Sequence, residues 1–131
     1  MMEGKSYSCQ KVLTIPFADA VAKVKSLLPL EGFGVLTEID VRATLKKKLG
    51  VDFPNYLILG ICNPAFAHKA LQAERKVGLV MPCNIIIYEE AGKVIVSAML
   101  PTAALKTINS PELKDIAEEI EPKIKKIIGA V

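Results

Sequence analysis

Two cysteine-asparagine pairs, each beside a proline, are the residues of this chain whose types and spacing could do chemistry. They are Cys62-Asn63 and Cys83-Asn84. The first pair ends one apolar segment and the second begins another. Thiolates act as nucleophiles, as redox groups and as ligands for soft metals such as zinc or copper(I), while amide side chains bind polar groups. We therefore take these four residues as a candidate ligand or metal site.

The reactivity of the two thiols depends on their surroundings. Cys62 precedes a predicted helix by two residues, so the positive end of the helix dipole is expected to lower its pKa and favour the thiolate. Cys83 would then resolve an oxidised Cys62 by forming a disulfide. The alternative is that both cysteines are small buried hydrophobic residues and that both asparagines bond to loop backbone. The sequence leaves both interpretations open.

A metal site would need more than this chain's own cysteines. The sequence holds three cysteines and one histidine, and His68 falls on the outer face of its predicted helix. Cys62 and Cys83 therefore cannot complete a cysteine-rich zinc site within one chain. A zinc or copper ion would have to be shared between subunits.

Glu38 and Lys48 are further candidates for the binding site. Glu38 lies in an otherwise apolar predicted strand, where a carboxylate would have a raised pKa unless it were paired. Lys48 lies beside an apolar helical stripe, so its ammonium could reach into a cleft and pair with Glu38. The alternatives are an exposed edge-strand residue for Glu38 and a solvated charge for Lys48.

Hydrophobic periodicity predicts five strands and four helices that would position these residues. The strands are predicted at 8–15, 33–39, 56–62, 83–89 and 94–100, and the helices at 17–28, 41–49, 65–75 and from 111 onward, with a connector at 101–109. Asp40 and Ser110 are typical N-caps, and Gly50 is a typical C-terminal glycine. Pro122 is expected to bend the last helix without ending it.

The strand directions decide whether the two cysteines meet. If the strands ending at Cys62 and starting at Cys83 are antiparallel neighbours, both thiols lie at one edge of the sheet. If they are parallel, the crossover through the helix between them would place the thiols at opposite ends. The candidate site therefore depends on antiparallel pairing.

Composition narrows the class of protein. A chain of 131 residues with 51% hydrophobic and 24% charged residues predicts one globular domain, residues 1–131. No apolar run reaches membrane-spanning length, and no leader marks the chain for export, so a cytoplasmic protein is expected. A net charge of +3 is too small to indicate nucleic-acid binding.

Four motifs, in order, resemble a known family. They are Gly-Phe-Gly-Val-Leu-Thr-Glu-Ile-Asp at 32–40, Leu-Lys-Lys-Lys-Leu-Gly at 45–50, Cys-Asn-Pro at 62–64 followed by Ala67 and Leu71, and Pro-Cys-Asn at 82–84. Over residues 7–101 the chain resembles the domain of unknown function 302 (DUF302) family. The resemblance implies an α+β fold, strand-helix-four strands-helix, similar to a single copy of the TATA-binding protein fold with two extra helices. It also implies a homodimer, and it implies no reaction.

Three functions follow from these expectations. The first is a small homodimeric module that binds a small ligand or a soft metal at a site near Cys62 and Cys83. The second is a thiol-based redox enzyme or sensor that uses the same two cysteines. The third is a structural domain that mediates assembly without chemistry.

Overall fold

An antiparallel sheet is the centre of the fold. The computed structural model describes residues 2–3 and 6–131. Six strands are described: β1 (Met2–Glu3), β2 (Ser8–Leu13), β3 (Gly34–Asp40), β4 (Tyr56–Cys62), β5 (Cys83–Glu90) and β6 (Lys93–Met99). Their order in the sheet is β1-β2-β6-β5-β4-β3, and every neighbouring pair is antiparallel.

Five α-helices connect or cover these strands. They are α1 (Phe17–Leu27), α2 (Val41–Leu49), α3 (Pro64–Ala73), α4 (Pro101–Lys106) and α5 (Pro111–Ala130), and two 3-10 helices lie at Leu28–Glu31 and Arg75–Val80. When β1, α2, α3 and the short α4 are set aside, the order is strand-helix-four strands-helix. The predicted α+β class with a mostly antiparallel sheet is therefore confirmed. In the described part of the chain no helix is long and apolar enough to cross a membrane.

Local sequence signals account for most helix ends. The Asp40 carboxylate accepts a hydrogen bond from the Ala43 amide at 2.9 Å, and Gly50 ends α2 with a left-handed φ of 67°. The Ser110 hydroxyl accepts from the Leu113 amide at 3.3 Å. Pro122 is exposed within the continuous helix α5, as expected for a proline on the side away from the core. The structure adds a strand and an α-helix that the sequence did not predict, β1 and α4, besides the two 3-10 helices.

The core lies between one face of the sheet and the helices α1 and α5. Side chains that alternate along the central strands are buried there, including Leu59, Ile61, Ile85, Ile87 and Val96. Cys9 belongs to the same core, as predicted from its strand position. The opposite face of the sheet carries half-buried residues such as Ile58, Ile86 and Tyr88. A smaller apolar cluster, with Ala70, Val77 and Leu113 at its centre, packs α3 against α4 and α5.

Candidate functional site

The two cysteine-asparagine pairs lie at the same edge of the sheet. Strands β4 and β5 are antiparallel neighbours, and Ile61 is directly opposite Cys83. Opposed Cα atoms are about 5 Å apart, and Cys62 is one further step of about 3.4 Å along its strand. The Cα atoms of Cys62 and Cys83 are therefore well within 10 Å. The condition on which the candidate site depended is met.

Both thiols line one narrow cleft under α3. The cleft encloses about 50 Å³, and its walls are mainly apolar, with Phe66, Met81 and Ile116 among them. Cys62 and Cys83 are half-buried and neither forms a disulfide. A space of this size holds a water molecule or an ion, but not an organic ligand of ordinary size.

The environment of the cleft favours the neutral thiols. Burial raises the pKa of Cys62 above its ordinary value. Burial also raises the pKa of Cys83, and the neighbouring Cys62 thiolate raises it further. The prediction that the helix dipole lowers the pKa of Cys62 is therefore wrong. One reason is that α3 begins with Pro64, which has no backbone N–H to stabilise an anion.

The cleft does not supply a complete set of ligands for a metal ion. Among the residues that the structure describes, no group of three or more histidine, cysteine, aspartate or glutamate side chains is placed to hold an ion. His68 is exposed on α3, as its helical position predicted. Zinc or copper bound by Cys62 and Cys83 would need further ligands from another subunit.

Asn63 has a structural contact. Its Nδ2 donates a hydrogen bond to the Glu31 carbonyl at 3.2 Å. A Cβ atom added at Gly32, which has a φ of 81°, would lie 2.9 Å from the same Nδ2. Asn63 therefore ties the β4–α3 junction to the turn before β3, which is the loop-bonding alternative considered from sequence.

Asn84 lies in a larger groove on the other side of the sheet from the main core. The groove encloses about 450 Å³ between the strands and α4, and Cys83 belongs to both the groove and the cleft. The polar lining residues are Tyr7, Ser8, Asn84, Ser97 and Thr107, and the remainder include Ile86, Met99, Ala103 and Ala104. Sequence reasoning did not find most of these residues. The one available signal was Ser97, a hydroxyl in the middle of the apolar strand β6.

Glu38 and Lys48 do not join the cysteine site. Glu38 is exposed on β3, and its Oε1 lies 2.8 Å from the Lys25 Nζ. The predicted pairing of Glu38 with Lys48 is therefore wrong, because α1 brings Lys25 to the strand instead. Lys48 is exposed on α2, as expected for a solvated charge near a helix C-terminus.

Alkylation kinetics will report the state of the two thiols. We expect iodoacetamide to modify both cysteines with apparent pKa values above that of a free thiol, because burial disfavours the thiolate. In Cys62→Ser the apparent pKa of Cys83 should fall but remain raised, since only the neighbouring charge is removed. Site-resolved mass spectrometry across a pH series measures both values. A Cys62 that reacts as a thiolate at neutral pH would contradict this expectation.

Comparison with known proteins identifies one family, both by sequence and by structure. The family model described as domain of unknown function DUF302 matches residues 9–131. A solved structure, the crystal structure of an uncharacterized conserved protein DUF302 from Bacillus stearothermophilus, is similar with a TM-score of 0.89 and 29% sequence identity. The alignment covers 96% of this chain and 98% of that one. No curated protein matches. The family match extends beyond the 7–101 expected from sequence and includes α5.

Proposed function

Because the chain belongs to the DUF302 family, whose description assigns no activity, we propose a function from its own surface: it binds a small, uncharged, largely apolar organic ligand. The binding site is the groove of about 450 Å³ that includes Cys83 and Asn84. This volume falls in the usual range for small-molecule sites. The groove is the observation that carries the proposal.

The chemistry of the lining supports an uncharged ligand. Among the residues that the structure describes, no lysine, arginine, histidine, aspartate or glutamate lines the groove. A charged ligand would lose its hydration there without gaining an ionic partner, which is costly. Hydroxyl and amide groups from Ser97, Asn84 and Thr107 are placed to orient a ligand by hydrogen bonds, while Ile86 and Met99 supply apolar contact.

The metal and redox alternatives receive less support. The Cys62–Cys83 cleft is small, its thiols have raised pKa values, and Asn63 bonds to backbone. In the proposed site the Cys83 side chain is a weakly polar part of the groove lining. Three free thiols also fit a reducing compartment, which supports the proposal of a cytoplasmic location.

Filling the groove is expected to abolish ligand binding. Ala104→Trp places a large ring into the groove from α4. Indole, a small apolar probe with one hydrogen-bond donor, should bind the wild type and lose at least about tenfold in affinity in the variant. Chemical-shift titration of the amide resonances measures both the affinity and the location.

The control for this experiment is Ala22→Trp, since Ala22 is exposed on α1 and lies outside the groove. It should bind indole as the wild type does. Indole shifts that map elsewhere, or an Ala104→Trp protein that binds normally, would contradict the proposed site. Native mass spectrometry of protein purified without denaturation then identifies any ligand that it retains.

A homodimer is a second part of the proposal, and the β3 edge supports it. All seven residues of β3 are exposed, and α2 has no buried residue. In the part of the chain that the structure describes, ten large hydrophobic residues are exposed, and five of them are grouped in this region: Val35, Leu36, Ile39, Leu49 and Val51. An exposed strand edge with apolar side chains is a template for pairing with another chain. We take a second copy of this chain as the partner.

A further inference from the structure

A second concavity lies at the opposite end of β4 and β5 from the cysteines. It encloses about 550 Å³. Its lining consists of the residues that lead into β4 and those of the β5–β6 turn: Phe53, Pro54, Tyr56, Tyr88, Glu89, Glu90, Ala91 and Gly92. None of these residues lines the groove or the cysteine cleft. The concavity is therefore separate from the site of the proposed function.

Aromatic rings form one part of this concavity. Tyr56 and Tyr88 are direct partners across β4 and β5, and their rings stack with centroids 5.2 Å apart at 23°. The Phe53 ring is tilted by 59° to Tyr56, with centroids 6.3 Å apart. The chain has only three tyrosines and four phenylalanines, so nearly half of its aromatic rings line this concavity. Phe53 is 40% exposed, so its ring is accessible to a ligand.

Acidic groups form the other part. Glu89 and Glu90 both line the concavity, and no lysine, arginine or histidine of the described part of the chain does. Within the described ranges neither carboxylate takes part in an ion pair. The Glu89 Oε1 accepts a hydrogen bond from the Asn55 Nδ2 at 2.6 Å, which holds that carboxylate beside the rings.

Two nearby cations stay outside the lining of the concavity, and the pKa of Tyr88 indicates a negative potential within it. Lys93, which pairs with Glu90 in the hairpin, and Arg42, which donates to the Asn55 Oδ1 at 3.4 Å, lie outside the lining. The pKa of Tyr88 is raised, first by burial and then by the charge of Glu90. Negative potential at the tyrosine hydroxyl disfavours an anionic ligand.

We propose that this aromatic and acidic concavity binds a small organic cation with a quaternary or methylated ammonium head, of which choline is the simplest example. Such heads are large and weakly hydrated, and they are attracted to the faces of aromatic rings. The carboxylates of Glu89 and Glu90 supply long-range attraction that a compact inorganic ion would share, but the three rings select the methylated head. Tyr56, Tyr88 and Phe53 contact its methyl groups.

The test uses choline and its neutral isostere 3,3-dimethylbutan-1-ol, which has the same shape without the charge. Amide chemical shifts of the whole chain are followed during titration with each compound. Choline should shift resonances of the β5–β6 turn and of residues 53–56, and should bind at least about tenfold more tightly than the isostere. Equal binding of the two compounds, or no shifts with choline at about 50 mM, overturns the proposal.

Two variants separate the ring contribution from the charge contribution. Tyr88→Leu should weaken choline binding by about fivefold or more. Glu90→Gln, which is less disruptive to folding, should weaken it by about threefold and reduce its salt dependence. Glu112→Gln removes an exposed carboxylate on α5 and should have no effect. If Glu112→Gln weakens binding as much as Glu90→Gln does, the attraction comes from net charge and the proposal fails.

A further experiment tests whether the cation is a free small molecule or part of a modified protein. A short peptide containing trimethyl-lysine presents the same head on a protein chain. The proposal of a free small molecule requires that choline bind at least as tightly as this peptide. A peptide that binds more than about tenfold tighter would make a modified protein the ligand and overturn this proposal.

Discussion

Gly60→Ala is expected to lower the free energy of unfolding by about 3 kcal/mol. Gly60 lies in the middle of β4, directly opposite Thr37 of β3 and Asn84 of β5. A Cβ atom at this position would overlap the Thr37 Oγ1 and would lie 2.9 Å from the Pro82 Cγ. The sheet holds the Thr37 backbone and the ring holds the Pro82 Cγ, so an added Cβ requires a change of the Thr37 rotamer together with a shift of the proline.

Thermal or denaturant unfolding measures this effect. For a domain of this size, about 3 kcal/mol corresponds to a fall in Tm of about 10 °C. Gly34→Ala is the matched control, because Gly34 lies in the adjacent strand and its added Cβ would meet no atom within 4 Å. The double variant Gly60→Ala/Thr37→Ala should recover part of the loss, since the Pro82 contact remains. Equal stability of Gly60→Ala and Gly34→Ala would show that the close approach is not a constraint.

Leu36→Lys is expected to convert the proposed homodimer into a monomer. Leu36 lies at the irregularity in the pairing of β3 with β4 and is 64% exposed in the single chain. If a second copy covers this edge, the substitution places an ammonium group in an apolar interface. Burying an unpaired charge there should weaken association by at least about a hundredfold.

Sedimentation equilibrium of the wild type and the variant measures this change, with circular dichroism to verify that the fold is retained. Leu79→Lys is the matched control, because Leu79 is 85% exposed but lies in the 3-10 helix after α3, away from the β3 edge. It should remain dimeric. A wild type that is monomeric at about 100 μM, or dissociation by Leu79→Lys alone, would remove the β3 edge as the dimer interface.

Local signals in the sequence were sufficient for most of the scaffold. The bounds of α2 and β4 agree with the periodicity, and Asp40, Gly50 and Ser110 act at the helix ends as their types predict. These features depend on neighbours within a few residues. Such local interactions do not depend on the tertiary fold, so residue type and spacing are enough to predict them.

Contacts between elements that are far apart in the sequence could not be predicted from these local signals. Glu38 pairs with Lys25 because α1 passes beside β3, and no spacing in the sequence encodes that approach. The groove was also missed, since Ser97 and Asn84 become neighbours of Thr107 only when α4 covers that end of the sheet. The segment 101–109, predicted as a connector, contains the short helix α4.

For the residues around Cys62 and Cys83, the sequence by itself determined that two thiols stand at the ends of two buried strands. Only the tertiary structure decided that these strands are antiparallel neighbours, so that the thiols share one edge. It also decided their protonation, because burial raises both pKa values and favours the neutral thiols. The physical reason is that strand order and burial arise from contacts between segments far apart in the chain, whereas residue spacing records only what is near.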